Sequence, residues 1–168
     1  PHCFNTLKNE YPDFGFSAEV IHHSEIIAQK SKTVKSEKQK SLQPLTTYHD
    51  SCYLGRYCGI YDVPREIIEM LGYKIKEMDN SRENSFCCGS CGGLPRVSKN
   101  LSDNIAKERI LQAKRIGVKK MIVIGFENYS LLKDNVGDSD IEILELSTIL
   151  ADSLEIKKME VSGENNGR

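Results

Sequence analysis

Leu45-Thr46-Thr47-Tyr48-His49-Asp50-Ser51-Cys52 is the stretch on which the fold turns. Its first four residues are apolar, β-branched or aromatic, and read as a short buried strand behind Pro44. The next four are polar or thiol-bearing, so the chain leaves that strand straight into a reactive loop. Downstream, Pro64 sits at a first helical position behind Asp62, and Arg65 to Leu71 makes a short helix closed by Gly72. Tyr73 to Met78 alternates as a strand does. Leu101 to Ile116 is the longest helical pattern, with Leu101, Ile105, Ile110, Leu111 and Ala113 on its expected core face and Gly117 closing it. Lys120 to Gly125 reads as a buried strand, Phe126 to Lys133 as a weak helix, and Ile141 to Leu146 as another strand. Ser147 is the expected cap of a last helix running to about Leu154. This rhythm predicts an α/β domain with a mainly parallel sheet flanked by helices. In such sheets the loops at the carboxyl ends of the strands carry the site, and both cysteine loops, at Cys52 and at Cys87–Cys91, follow predicted strands.

Upstream, Ala18 to Gln29 carries Val20, Ile21, His23, Ile26, Ile27 and Ala28 on a helical period, with Ser17 available as its cap. Lys30 to Lys40 holds five lysines and one glutamate and reads as a solvated connector, with a basic docking strip as the alternative. The tail from Ser162 is polar. The expected division is therefore 1–29, a connector over 30–44, an α/β domain over 45–156 and a tail over 157–168.

Composition narrows the function classes. The 168 residues carry 23 Lys+Arg against 24 Asp+Glu, a formal net charge of −1, which removes the electrostatic case for a nucleic-acid binder. No apolar run is long enough to span a membrane, and no signal peptide is visible. The chain opens on Pro1 directly before His2-Cys3 and reads as a piece of a longer protein, so missing targeting signals say little about the whole.

The cysteines stand at 3, 52, 58, 87, 88 and 91. Small disulfide scaffolds are shorter and lack this helix patterning, and a disulfide between neighbours is strained, so a thiolate site in a reducing compartment is the better reading. Soft sulfur donors suit zinc or an iron–sulfur cluster. Zinc ribbons present two C-x-x-C knuckles, whereas the nearest match here is the single Cys88-Gly89-Ser90-Cys91. Adjacent Cys87 and Cys88 crowd one tetrahedral ion but can reach different irons of one cluster, and Gly89, Gly92 and Gly93 let backbone amides approach inorganic sulfides. A cluster is expected, with zinc as the alternative.

Other residues carry paired readings. Cys58 reads as a small buried residue before a ligand, and His22 and His23 as surface or satisfied core residues before ligands. His49 is either a proton donor to a leaving thiolate or a hydrogen-bond partner of Asp50 that orders the loop. Arg56 either balances the charge of a thiolate-ligated cluster or makes an ordinary surface ion pair.

The lead-in His49-Asp50-Ser51-Cys52-Tyr53-Leu54-Gly55-Arg56 and the triplet Cys87-Cys88-Gly89 resemble the CCG cysteine-rich domain found in the B-type and D-type polypeptides of heterodisulfide reductase and in related iron–sulfur oxidoreductases. Gly59 to Glu66, Arg82 to Phe86 and Pro1 to Leu7 resemble the same family, so the likeness covers about residues 1–150. The resemblance implies two tandem motifs, each a lone Cys, a Cys-Cys-Gly and a later C-x-x-C. On that pattern Cys3 ends the first motif, while Cys52, Cys87 and Cys88 belong to the second. It also implies a noncubane [4Fe-4S] cluster held by five cysteines, and electron transfer to a disulfide, persulfide or similar sulfur substrate. Ferredoxin-like or flavin donors, other subunits of a complex, a cytoplasmic setting and a membrane-anchored partner follow from the same likeness. The chain departs from the pattern after the strand at Met121–Ile124, where Gly125-Phe126-Glu127-Asn128-Tyr129 stands and Phe126 and Tyr129 are assigned to the two cysteine positions. Neither replaces a thiolate, and Tyr129 becomes either a hydroxyl behind the ligands or simple packing. Cys91 is then the nearest replacement ligand, and Cys52, Cys87, Cys88 and Cys91 together would suit a conventional cubane.

Overall fold

The computed structural model describes residues 1–31 and 45–153. The chain opens with α1 (His2–Asn5), which widens into a π turn (Thr6–Glu10) and tightens into a 3-10 turn (Tyr11–Phe14). There follow α2 (His23–Ser31), β1 (Leu45–Tyr48), α3 (Asp62–Met70), β2 (Lys74–Ile75), α4 (Leu94–Val97), α5 (Lys99–Arg115), β3 (Lys120–Val123), α6 (Phe126–Asp134), β4 (Glu142–Glu145) and α7 (Leu146–Ser153). The Lys-rich connector and the polar tail lie outside the described residues. No described helix is long and apolar enough to cross a membrane.

The four strands form one sheet in the order β2-β1-β3-β4, every pairing parallel, with Thr47 opposite Met121 and Met121 opposite Ile143. The α/β expectation holds. Strand alternation sends Ile122 and Ile124 to one face and Met121 and Val123 to the other. The first face is covered by Phe4, Ala28, Ile67, Ile68, Leu146 and Leu150, the second by Ala106, Ile110, Ala113 and Leu132. The chain runs from β1 to β2 on one side and then crosses back to β3 and β4 on the other, so the order reverses between β1 and β3. That is the switch point at which an open parallel sheet leaves a crevice beyond its strand ends.

Several local expectations need correcting. Helix α2 begins at His23, not Ala18, because His22 and Glu25 build a reciprocal cap there. The His22 Nδ1 accepts the Ser24 N–H at 3.3 Å, and the Glu25 carboxylate accepts the His22 N–H at 3.1 Å. Helix α7 is capped by Glu145, whose carboxylate accepts the Thr148 N–H at 3.0 Å; Ser147 only donates its hydroxyl to the same carboxylate. Strand β2 is two residues long where the alternation predicts six. On α5 the buried face is Ser102, Ala106, Arg109, Ile110 and Ala113, while Leu101 and Leu111 are half exposed. Small residues at Ser102, Ala106 and Ala113 let α5 approach the sheet and the Gly89 loop, while Leu101 and Leu111 stay at the surface.

Candidate cysteine site

The site is assembled by the loop beyond the carboxyl end of β1, which carries Cys52, and the loop after β2, which carries Cys87, Cys88 and Cys91, with the start of α6 after β3 packed against them. His49 continues β1, its N–H donating to the Ile122 carbonyl at 2.9 Å, and the chain then turns so that the Gly55 N–H bonds the Ser51 carbonyl at 2.8 Å. That turn presents Cys52. The loop is braced by Asp50, whose carboxylate accepts two bonds from Arg65 on α3, at 2.8 and 2.9 Å, and one from the Arg82 N–H at 2.8 Å. Arg65 also binds Glu77, at 2.6 and 3.0 Å. One carboxylate thus ties the first cysteine loop to the start of the second.

The second loop is anchored on α5. The Ser102 hydroxyl donates to the Gly89 carbonyl at 2.9 Å, and Gly89 has φ +89°. A Cβ at Gly89 would stand 2.8 Å from the Ser102 carbonyl oxygen, so only glycine fits this approach.

Four thiols meet between these loops. Cys52 and Cys91 are 3.4 Å apart at sulfur. Cys87 is their electrostatic centre: its interactions with Cys52, Cys88 and Cys91, helped by the Gly89 N–H that donates to it at 3.3 Å, hold it well below the ordinary thiol range, against the effect of burial. The opposite shift falls on its neighbours. Hydrogen bonding to Cys87 and burial push Cys88 up, and hydrogen bonding to Cys52 and Cys87 pushes Cys91 up. Cys52 is raised chiefly by Cys87, with the Arg56 charge acting the other way. Arg56 lies with Tyr53, Tyr57 and Gly92 around a hollow of about 570 Å³ onto which Cys52, Cys87 and Cys91 open. That position agrees with charge balance at the site.

The donor set suits a soft metal centre: four unpaired thiols, one already stabilised as thiolate, converge from two loops. Among the described residues no group of three or more His, Cys, Asp or Glu side chains is spaced for a single metal ion. The sulfurs touch one another instead, so holding a larger group requires them to spread.

Cys88 is 1% exposed and turns away from the hollow toward α6. There Asn128 accepts from Cys88 Sγ at 3.3 Å and from Ser90 Oγ at 2.6 Å, and donates to the Ile124 carbonyl at 3.0 Å. Of the residues after β3, Asn128 is thus the one facing the cysteines. Phe126 is exposed, and Tyr129 packs on the second core with its hydroxyl accepting from Lys133 at 2.7 Å. Asn128, which lies between the expected positions Phe126 and Tyr129, is the residue there that bonds a thiol.

His49 is buried, and its partner is Arg109 rather than Asp50: Arg109 Nε donates to His49 Nδ1 at 3.0 Å. Burial, and then the Arg109 charge, hold the His49 pKa down at about 3. The ring is neutral at neutral pH with its proton on Nε2. His22 is a buried core residue beside Phe4 and His23 is exposed. Cys58 sits apart, its sulfur donating to Asn5 Oδ1 at 3.7 Å. Cys3 is exposed on α1, outside the quartet. Its neighbours touch the site: the His2 ring packs against Tyr53 with centroids 4.1 Å apart and planes tilted by 50°, and a Cβ on Gly125 would lie 3.0 Å from Pro1. His2, Tyr53, Cys91 and Phe126 share a second, larger cleft of about 660 Å³. Arg109, Asn128 and Ser90 were not anticipated from sequence.

Known proteins share this segment. A probable iron–sulfur-binding oxidoreductase, FadF, of Bacillus subtilis is 47% identical over 114 residues, 67% of this chain and 16% of that protein. The EtfAB:quinone oxidoreductase of Syntrophomonas wolfei is 41% identical over 112 residues, 66% of this chain and 16% of the relative. The D-type polypeptide of the dihydromethanophenazine:CoB–CoM heterodisulfide reductase of Methanosarcina mazei is 35% identical over 115 residues, 66% and 28% of the two chains. The chain therefore spans under a third of each of these relatives. No solved structure matches. The family model described as CCG, cysteine-rich domain, matches residues 46–125, which run from β1 through both cysteine loops to Gly125, and the chain carries a CCG cysteine-rich domain.

Proposed function

We propose that this chain is the cluster-holding part of an iron–sulfur oxidoreductase, with Cys52, Cys87, Cys88 and Cys91 holding one [4Fe-4S] cluster. The observation that carries the reading is the convergence of these four thiols on Cys87 at the switch point of the sheet. A bound cluster would supply one-electron storage and transfer. The protein's own residues do the rest. Cys87 enters as a thiolate, Gly89 offers it a backbone N–H, Arg56 adds positive charge at the rim, and neutral His49, which feels the field of Cys87, carries its proton on Nε2. In this reading His49 orients and stabilises sulfur rather than acting as the acid.

The substrate is a disulfide, persulfide or related sulfur compound approaching through the cleft beside Cys91, His2 and Phe126. Electrons come from ferredoxin-like or flavin partners in a cytoplasmic complex that reaches a membrane through another subunit. The named relatives support the electron-transfer role, while the acceptors in their names differ, a quinone in one and a heterodisulfide in another. Cys3, outside the quartet, is a ligand of a second cluster site.

A second reading, an electron relay without substrate chemistry, is favoured by Asn128. An amide oxygen, not a fifth thiolate, faces the sealed Cys88. Anaerobic assembly of the whole protein with iron and sulfide, followed by Cys91→Ser, tests the assignment. Expected are about four irons and a spectrum that changes with Cys91→Ser. Stoichiometric zinc in place of iron ends the reading. A substrate-dependent change in the spectrum that Cys52→Ser removes separates the catalytic site from the relay.

A further inference from the structure

Two arginines are buried in this domain, and they are matched differently. Arg65 is bound by two carboxylates, Asp50 and Glu77. Arg109 is fully buried, yet each hydrogen-bond partner it has is uncharged: His49 Nδ1 at 3.0 Å, the Asn80 carbonyl at 2.8 Å and the Gln112 side-chain oxygen at 2.7 Å. Its Nη2 is buried with no hydrogen-bond partner among the described residues. A buried guanidinium without a matched anion is costly, so a chain that keeps one places an anion near it. The groups whose field favours its charge are Asp50 first, then Cys88, Glu77 and Cys87. Both carboxylates are already engaged by Arg65. The two thiols have no buried cation of their own, and when they hold an anionic group the Arg109 charge is the one behind them.

We propose that Arg109 is the buried counter-charge of the cysteine site: it raises the electron affinity of the group held by Cys87 and Cys88 and fixes His49 with its proton on Nε2. The two roles share one side chain, since the Nε–H that occupies His49 Nδ1 belongs to the same guanidinium. Arg109 is a positioning residue, acting through His49 and through its field. The inference rests on the cluster reading above.

The test uses the whole protein, assembled anaerobically, with the signal of this site identified as the component lost in Cys52→Ser. Arg109→Gln removes the charge and Arg109→Lys keeps it. Gln112→Glu keeps the hydrogen bond to Arg109 while neutralising its field, and the half-buried position tolerates the exchange. At a fixed poise, Gln112→Glu and Arg109→Gln lower the ratio of reduced to oxidised centre by about tenfold, a midpoint shift of about 59 mV for a one-electron couple. Arg109→Lys restores most of it. A midpoint that stays at the wild-type value in Gln112→Glu, with full iron content, overturns the inference whether or not Arg109→Gln folds. A wild-type protein with no signal lost in Cys52→Ser overturns the cluster reading itself, and the inference with it.

Discussion

The side-chain oxygen of Asn128 accepts from the Cys88 thiol at 3.3 Å and from the Ser90 hydroxyl at 2.6 Å, linking α6 to the second cysteine loop. Its amide nitrogen donates to the Ile124 carbonyl at the end of the central strand, so one buried amide joins strand, helix and loop. Asn128→Leu keeps the bulk and removes every one of these bonds. Leaving the buried partners unsatisfied costs about 1–3 kcal/mol each, so the variant is expected to lose at least that much stability. Asn128→Asp keeps the acceptor and is expected to fold but to place a charge beside Cys88. Denaturant midpoints of both variants check the ranking. Equal stability of Asn128→Leu and wild type would mean the bridge is dispensable.

How much of this was legible in the sequence differs by element. The strand at Leu45–Tyr48 and the loop after it were readable because β-branched residues run directly into a thiol-bearing turn, with no competing helical period. The four thiols were readable because spacing and soft-donor chemistry are local. Arg109 was not. An arginine in a helix reads as solvated, and only the fold places α5 with Arg109 against His49, sixty residues away. Asn128 was missed for a related reason: a one-residue shift in assigning the positions after β3 exchanges a side chain facing Cys88 for one facing Lys133. The caps of α2 and α7 were misplaced because a histidine and a glutamate perform work that propensity gives to serine.

Asp50 predicts a second measurable loss. Its carboxylate is 1% exposed and Arg65 is 7% exposed, so Asp50→Asn leaves a buried guanidinium short of its main anion. Breaking such a pair costs about 3–5 kcal/mol. Glu77 is 38% exposed, and Glu77→Gln is expected to cost about 1 kcal/mol or less, because water replaces much of the lost interaction. Asp50 also holds the Arg82 N–H, so Asp50→Asn is further expected to lower iron content, while Glu77→Gln leaves it unchanged. Unfolding curves and iron analysis on both variants separate the two expectations.

The pH dependence of stability follows from His22. Burial first, and the neighbouring His23 charge second, lower its pKa from the ordinary 6.5 to about 3. Between those values the unfolded chain takes up a proton that the folded chain refuses. The contribution is therefore fully present above about pH 6.5 and is lost as pH falls toward 3, at up to about 1.4 kcal/mol per pH unit. His49 is displaced in the same direction and adds to the slope. His22→Asn keeps an acceptor at the cap of α2 but removes this titration. It is expected to be less stable than wild type at neutral pH, through lost packing on Phe4, and to close that gap as the pH is lowered. Urea midpoints across the acid range measure it; parallel curves would assign the slope elsewhere.

Gly89 and Gly92 separate backbone strain from cluster-site geometry. Both have positive φ, +89° and +67°, so alanine at either position costs about 1–2 kcal/mol of left-handed strain. Around Gly92 an added Cβ meets nothing within 4 Å. At Gly89 the Cβ would stand 2.8 Å from the Ser102 carbonyl oxygen and 3.2 Å from Ile105 Cβ, so the loop must lift from α5. Lifting it breaks the Ser102 bond to the Gly89 carbonyl and displaces the Gly89 N–H that donates to Cys87 at 3.3 Å. Cys87 then moves away from Cys52 and Cys91, which stand on neighbouring turns. Gly92→Ala is accordingly expected to fold with slightly lower stability and wild-type iron content. Gly89→Ala is expected to lose more stability and most of its iron. Should the two variants retain the same full iron content, the convergence of sulfurs on Cys87 is not what assembles the site.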